Sequence, residues 1–306
     1  MRARAVVVTG VVALLAGCAG SSPVPEPSAE SSTVPSPTAT TPRPRDIPIP
    51  SPPDVVSSST PHPPAEPGPY QDPLRLASDL VEAEGTIRSA DVPPADLARW
   101  AWAQQQAYRD LVLHSEWRAQ VRALVPLELQ PAFDANLHAG IRLWELTRPR
   151  TGLPDWHIVP PPALEVLRAH YAAASAEFGV AWEYLAAIHL VETRMGRIRG
   201  TSVAGARGPM QFLPSTWAQY GEGDIEDHRD AIRAAARYLA AHGAPRNMRR
   251  ALYAYNHSTR YVEAVEDYAS VMRSDPRTYR GYYHWRVYYR MTSGDVVLNE
   301  GWARRS

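Results

Sequence analysis

From residue 73 onward, apolar side chains recur in runs at the spacing of a helix face, until the last stretch of chain changes the pattern. Asp72 followed by Pro73 is an N-cap and first-turn pair, so a helix is predicted over DPLRLASDLVEAEGTIRSA. A second begins near Pro94, where Leu97, Trp100, Ala101, Gln104, Tyr108 and Leu111 follow helical spacing. A third, around residues 128–147, sets Phe133, Leu137, Ile141 and Trp144 on one stripe. Residues 150–162 (RTGLPDWHIVPPP) punctuate the pattern. Helices are then predicted at about 163–177, 180–195, 214–220, 228–242, 246–256 and 258–274. Residues 279–302 are aromatic and β-branched around an SGD turn, which predicts a short β-hairpin. The fold class is therefore mainly α, with no internal repeat.

Upstream the pattern disappears. Residues 18–70 are dominated by Pro, Ser, Thr and Ala, and they hold more than half of the 30 prolines of the chain. No helix or sheet propagates through such a stretch, so it is predicted to be a disordered tether. At about 3.1 Å per residue it reaches at most roughly 150 Å. It serves either as a leash for an anchored protein or as a linker of little constrained length. Before it, Arg2 and Arg4 precede an apolar run over residues 5–16 that is too short to span a bilayer and fits a signal peptide, residues 1–17. The run closes on Leu15, Ala16, Gly17 and Cys18, which resembles a bacterial lipobox. That resemblance implies cleavage before Cys18, lipidation there, and an exported protein anchored in the cell membrane and facing the wall. The alternative is an ordinary secretory signal in which Cys18 is incidental.

Composition narrows the function classes. The chain has 306 residues, and its 32 basic and 32 acidic residues cancel. This balance argues against nucleic acid, a polyanion that calls for a basic surface excess. All the basic residues are Arg, with no Lys, which together with the Ala-rich helices suggests a high-GC bacterial genome. With a single Cys, no intramolecular disulfide can form.

One carboxylate stands out. In AWEYLAAIHLVETRMG, residues 181–196, Leu185, Ile188 and Glu192 share the apolar stripe of a helix that Gly196 is placed to end. Burial and the negative end of the helix dipole both disfavour an ionised carboxylate there, so its pKa is expected to be raised. A carboxylic acid that stays protonated is the proton donor a glycosidic bond needs. The helix alone leaves open a boundary Glu that reaches solvent.

Two later segments bear on that choice: GARGPMQFLPSTW at residues 205–217 and ALYAYNHS at 251–258. With VETRMG they resemble, in order and spacing over roughly residues 155–275, the lytic transglycosylases, bacterial enzymes that cleave peptidoglycan on a lysozyme-like fold. The resemblance implies a lysozyme-like catalytic domain at 151–275, between a helical subdomain at 71–150 and an aromatic tail at 276–306. It implies cleavage of the MurNAc-GlcNAc β-1,4 bond to give 1,6-anhydroMurNAc ends, with Glu192 as acid and then base. Ser202 would touch the glycan or Glu192, Gly208 would allow close backbone approach, Met210 would offer an apolar sugar contact, and Gln211 would hydrogen-bond substrate or acid. Tyr255 and Asn256 would position the substrate N-acetyl group and Glu192. Thr193 stands where Ser is commoner, and Pro209 is a turn variant shared with the membrane-bound B-type branch.

The partners this implies are peptidoglycan glycan strands and, through Cys18, the membrane. No cofactor and no metal are expected. The acidic cluster Asp224, Glu226, Asp227 and Asp230 fails as a Ca²⁺ loop, because Arg229 stands where Gly is needed and Ala235 where a bidentate Glu is needed. Asp227 reads instead as the N-cap of the next helix, with Asp230 in its first turn. Of Trp182, Trp217, Tyr220, Tyr253 and Tyr261, one or two are expected to line a sugar groove. The tail aromatics are expected to pack on the helical body rather than to form a sugar platform. Two other readings stay open: a hydrolysing muramidase of the same fold, and a non-catalytic peptidoglycan-binding scaffold.

Overall fold

The structure is a computed structural model that describes residues 68–304. The expected signal peptide, Cys18 and the tether up to residue 67 lie outside the described residues. The described residues all belong to one compact unit. It is mainly helical, with two small antiparallel strand pairs. Among the described residues no helix is long and apolar enough to cross a membrane.

Helix α1 spans Pro73–Arg88 and starts as its first residues dictate, with the Asp72 carboxylate accepting from the Leu74 and Arg75 amides at 3.2 and 3.1 Å. Then follow α2 (Pro94–Leu113), α3 (Arg118–Leu124) and α4 (Gln130–Leu146). Helix α3 was not predicted from the sequence. Helices α5 (Leu164–Phe178), α6 (Trp182–Thr193), α7 (Pro214–Tyr220), α8 (His228–Ala241), α9 (Met248–Tyr255) and α10 (Thr259–Ser274) fall within a few residues of the predicted spans. Helix α10 is the central post, packed along α4 on one side and α6 on another.

Two features depart from the sequence pattern. Helix α6 is enclosed nearly all round, from Leu185 through Leu190, so its apolar stripe is one part of a fully buried helix. The tail is not all hairpin. Residues Tyr279–His284 form a short helix, α11, and only β3 (Val287–Met291) and β4 (Gly294–Leu298) pair, around Thr292 and Ser293. Tyr279 and Tyr282, three apart, are both buried, which suits a helical turn better than a strand. A second pair, β1 (His157–Ile158) and β2 (Ile198–Arg199), bridges the chain on either side of α5 and α6.

The tail is fastened to α2 by three consecutive glutamines. Gln104 Oε1 accepts from the Trp285 indole at 3.0 Å, and Gln105 donates to the Arg286 carbonyl at 2.9 Å while accepting from its amide at 2.7 Å. Gln106 Oε1 accepts from the Tyr288 hydroxyl at 2.7 Å. Consecutive residues point about 100° apart on a helix, yet all three side chains are buried, so α2 is surrounded at this level. Beside them, Glu84 accepts from Tyr108 at 2.8 Å and Gln104 at 3.0 Å, which ties α1 into the same network.

Candidate active site

Helix α6 ends because the backbone turns left-handed. Arg194, Met195 and Gly196 have φ of 54°, 60° and 84°, and the first two are not glycines. Such residues cost about 1–3 kcal/mol each and persist only where the surroundings hold them. Here Thr193 Oγ1 donates to the Pro209 carbonyl at 2.6 Å and accepts from the Gly196 amide at 3.1 Å. From below, the His228 ring presses against Gly196 so closely that a Cβ there would stand 2.1 Å from its Cε1. Helix termination thus begins at Arg194, two residues ahead of the glycine that the sequence marked for it. His228 is itself held by the Arg199 guanidinium, which donates to its Nε2 at 2.8 Å. Burial first, then the Arg199 charge, pushes the His228 imidazole down to about 4.

Glu192 is the penultimate residue of α6 and is fully buried. Its Oε1 accepts from the Tyr261 hydroxyl at 2.8 Å. Tyr261 is set there by the start of α10, where Ser258 caps the helix by accepting from the Tyr261 amide at 3.5 Å. The Tyr255 ring lies parallel to Tyr261 with centroids 6.5 Å apart, and its hydroxyl donates to the Met210 carbonyl at 2.6 Å. Burial, followed by the Glu192 charge, holds both phenols well above their ordinary range, so both remain donors.

The GPMQ segment is a tight turn. Gly208 has φ 75°, and a Cβ added to it would lie 1.9 Å from the Ile225 carbonyl oxygen. The close approach that requires glycine is therefore to the neighbouring backbone. Gln211, at φ 50°, donates Nε2 to the Gly208 carbonyl at 2.8 Å, while its buried Oε1 has no hydrogen-bond partner among the described residues. The Met210 side chain is fully enclosed in the main core. Asn256 is buried at the C-cap of α9. Ser202 lies apart, in a turn where its Oγ accepts from the Ala206 amide at 3.0 Å.

The structure thus gathers Glu192, Thr193, Pro209, Met210, Gln211, Tyr255 and Tyr261 into one bonded cluster. Tyr261 was grouped with aromatics that could stack on sugar, yet it holds the carboxyl of Glu192. The only prior signal was its position five residues past Asn256. In the acidic cluster, Asp227 caps α8 by accepting from the Asp230 amide at 3.0 Å, and Asp230 accepts from the Asp224 amide at 3.1 Å. Among the described residues no group of three or more His, Cys, Asp or Glu is placed to hold a metal ion.

A cavity of about 150 Å³ opens beside Glu192. Its walls include Trp144 of α4, Tyr268 of α10, Trp156 from the loop before β1, and Tyr288 of β3. A second hollow of about 290 Å³ shares Trp156 and adds Ser202 and Tyr289. The Trp156 and Tyr289 rings meet edge to face with centroids 5.4 Å apart. Of Trp182, Trp217, Tyr220, Tyr253 and Tyr261, one or two of which were expected at a sugar groove, none lines either hollow. The N-terminal helices and the tail, which was read as packing, both supply wall residues.

Comparison with family models matches residues 170–273 to the transglycosylase SLT domain. The match supports a lytic transglycosylase-type domain acting on peptidoglycan, and the mainly helical fold is consistent with a lysozyme-like domain. The matched stretch runs from within α5 into α10. It includes Glu192, the GPMQ turn, Tyr255 and Tyr261, and it excludes Trp144, Trp156 and the hairpin. Comparisons with curated proteins and with solved structures find no match.

Proposed function

We propose that the protein is a peptidoglycan lytic transglycosylase in which Glu192 is the single catalytic acid and base. The observation that carries this reading is the burial of Glu192 at the end of α6, hydrogen-bonded by Tyr261 and facing a cavity walled by aromatic rings. Burial favours the neutral carboxylic acid, which is the form able to donate. Glu192 gives its proton to the glycosidic oxygen as the bond from that oxygen to C1 of the muramyl ring breaks. The leaving sugar departs with a hydroxyl group. The Glu192 carboxylate then takes the proton of the muramyl 6-hydroxyl as that oxygen bonds to C1. Glu192 regains its proton, no water is consumed, and the product ends in a 1,6-anhydro ring.

Ser202, in the hollow beyond Trp156, is assigned to contact with the glycan. Gly208, Met210 and Gln211 shape the turn under the site, with the unpartnered Gln211 Oε1 as the atom available to a ligand or to water. Tyr255 and Asn256 are assigned to positioning the substrate N-acetyl group. The chain is proposed to be exported and lipid-anchored at Cys18, outside the described residues. Mass spectrometry of fragments released from purified peptidoglycan tests the reaction. Products lighter by one water than hydrolytic fragments are expected. Hydrolytic ends throughout would make the protein a muramidase, and binding without release of fragments would make it a scaffold.

A further inference from the structure

The cavity beside Glu192 is walled by cations as well as by rings. Arg109, Arg194 and Arg290 line it, against the one carboxylate of Glu192. They come from three separate places: α2, the left-handed turn after α6, and β3. Arg109 lies over the Tyr288 ring at 3.9 Å and is ion-paired with Asp295 of β4. Arg194 and Arg290 have no carboxylate partner among the described residues.

Each of those two uses one nitrogen to hold its place. Arg194 Nη1 donates to the Leu190 carbonyl at 2.8 Å. Arg290 Nη1 donates to the Trp144 and Thr147 carbonyls at 3.0 and 2.5 Å, and its guanidinium stacks on the Trp144 ring at 3.4 Å. Those bonds cap the C-terminal ends of α6 and α4, as basic side chains commonly do. Capping leaves the Nε and Nη2 donors of both groups unused by any hydrogen bond of the described residues. Nor does it explain why cations gather. Arg109 and Arg194 are near enough to repel, and burial with that repulsion lowers Arg109 to about 10. Like charges crowded at a half-dry site cost free energy unless an anion lies among them.

We propose that this cavity is a subsite for a carboxylate carried by the glycan, bound by the Arg194 and Arg290 guanidinium groups with Arg109 adding its charge. The proposal rests on the reading of Glu192 as the acid that cleaves a muramyl bond. A muramyl ring carries a lactyl ether on C3, two ring carbons from the C1 whose bond Glu192 acts on. That substituent must therefore lie within a ring's width of Glu192. It ends in a free carboxylate on bare strands and continues, on strands that carry stem peptides, into a peptide with carboxylates of its own. A planar guanidinium offers two parallel N–H groups to such an anion, which a neutral polysaccharide lacks.

Calorimetric titration of the full chain, made inert by Glu192→Gln, decides the matter with three soluble preparations of peptidoglycan strands. One carries intact stem peptides, one has the same stems chemically amidated, and one is stripped of peptide so that each lactyl group ends in a free carboxylate. Arg194→Gln and Arg290→Gln are each expected to weaken binding about tenfold or more to a carboxylate-bearing preparation, and to change binding of the amidated strands by no more than about twofold. Lys at either position should restore part of the affinity. Dependence confined to stripped strands identifies the lactyl carboxylate as the ligand; dependence confined to intact strands identifies a stem carboxylate. Equal affinity for all three preparations with both arginines in place overturns the proposal, whether or not the arginine variants fold. Turnover is not read in this titration, so failure of the active chain to form anhydro products counts against the catalytic reading alone.

Discussion

The Tyr261 hydroxyl donates to Glu192 across 2.8 Å, joining residues 69 apart in the chain and on two different helices. A donor so placed stabilises the ionised carboxylate relative to the acid, opposing the effect of burial. Tyr261→Phe should therefore slow turnover by roughly ten- to a hundredfold. Because the acid form is the one that starts the reaction, the basic limb of the rate–pH profile should move to higher pH. A profile that keeps its limb while only the melting temperature drops would reduce Tyr261 to a packing residue.

Glu192→Gln is expected to lower the rate of peptidoglycan cleavage by at least about 10²–10⁴-fold with the fold retained. Turbidity clearing by the purified variant, with circular dichroism to check folding, measures both. Clearing at the rate of the parent chain would remove Glu192 from the mechanism.

Gly208 and Gly205 make an internal comparison, since both have positive φ and only one is crowded. Gly205→Ala meets nothing within 4 Å and should cost about 1 kcal/mol from backbone strain alone. Gly208→Ala drives its methyl into the Ile225 carbonyl and should cost roughly 3 kcal/mol or more. Urea unfolding midpoints compare the two, and equal losses would show that the turn relaxes freely.

Stability should fall in mild acid. The His228 imidazole is pushed from 6.5 to about 4 in the native chain. Between those values the unfolded chain binds the extra proton, so stability is lost as pH drops from 6.5 towards 4, by on the order of 3 kcal/mol. His284, likewise lowered to about 4 by burial and neighbouring arginines, adds to the slope. Melting temperatures recorded from pH 7.5 to 4 should show a shallower acid decline in His228→Gln. Parallel curves for parent and variant would acquit His228.

Cys18→Ala should release the chain from the membrane fraction and leave its rate of cleavage as it was. Unchanged fractionation would mean that another segment provides the anchor.

The elements with clear local signals were legible in the chain. Asp72 before Pro73 marked the start of α1, and Asp227 marked the start of α8, because a cap is a short-range bond between near neighbours. Glu192 and the GPMQ turn were legible as a constellation. What escaped were the long-range relationships. Nothing local distinguishes Tyr261 from other aromatics at helical spacing; its role depends on α10 packing against α6. The two-residue strands β1 and β2 are too short to show alternation. Arg109, Arg194 and Arg290 stand far apart in sequence, and only the tertiary fold makes them neighbours of one cavity.

The three glutamines of α2 carry a consequence for how this protein can be divided. The stretch that bears the family likeness ends at residue 273, whereas Trp285, Arg286 and Tyr288, the partners of Gln104, Gln105 and Gln106, all come later. A chain cut at that boundary would take the donors away from three buried amide oxygens and strip the Tyr288 and Arg290 wall from the cavity. What inheritance shares and what folding requires are therefore different lengths of chain. A new substrate preference could arise in this protein from changes at either flank, with every residue of the shared stretch left as it is.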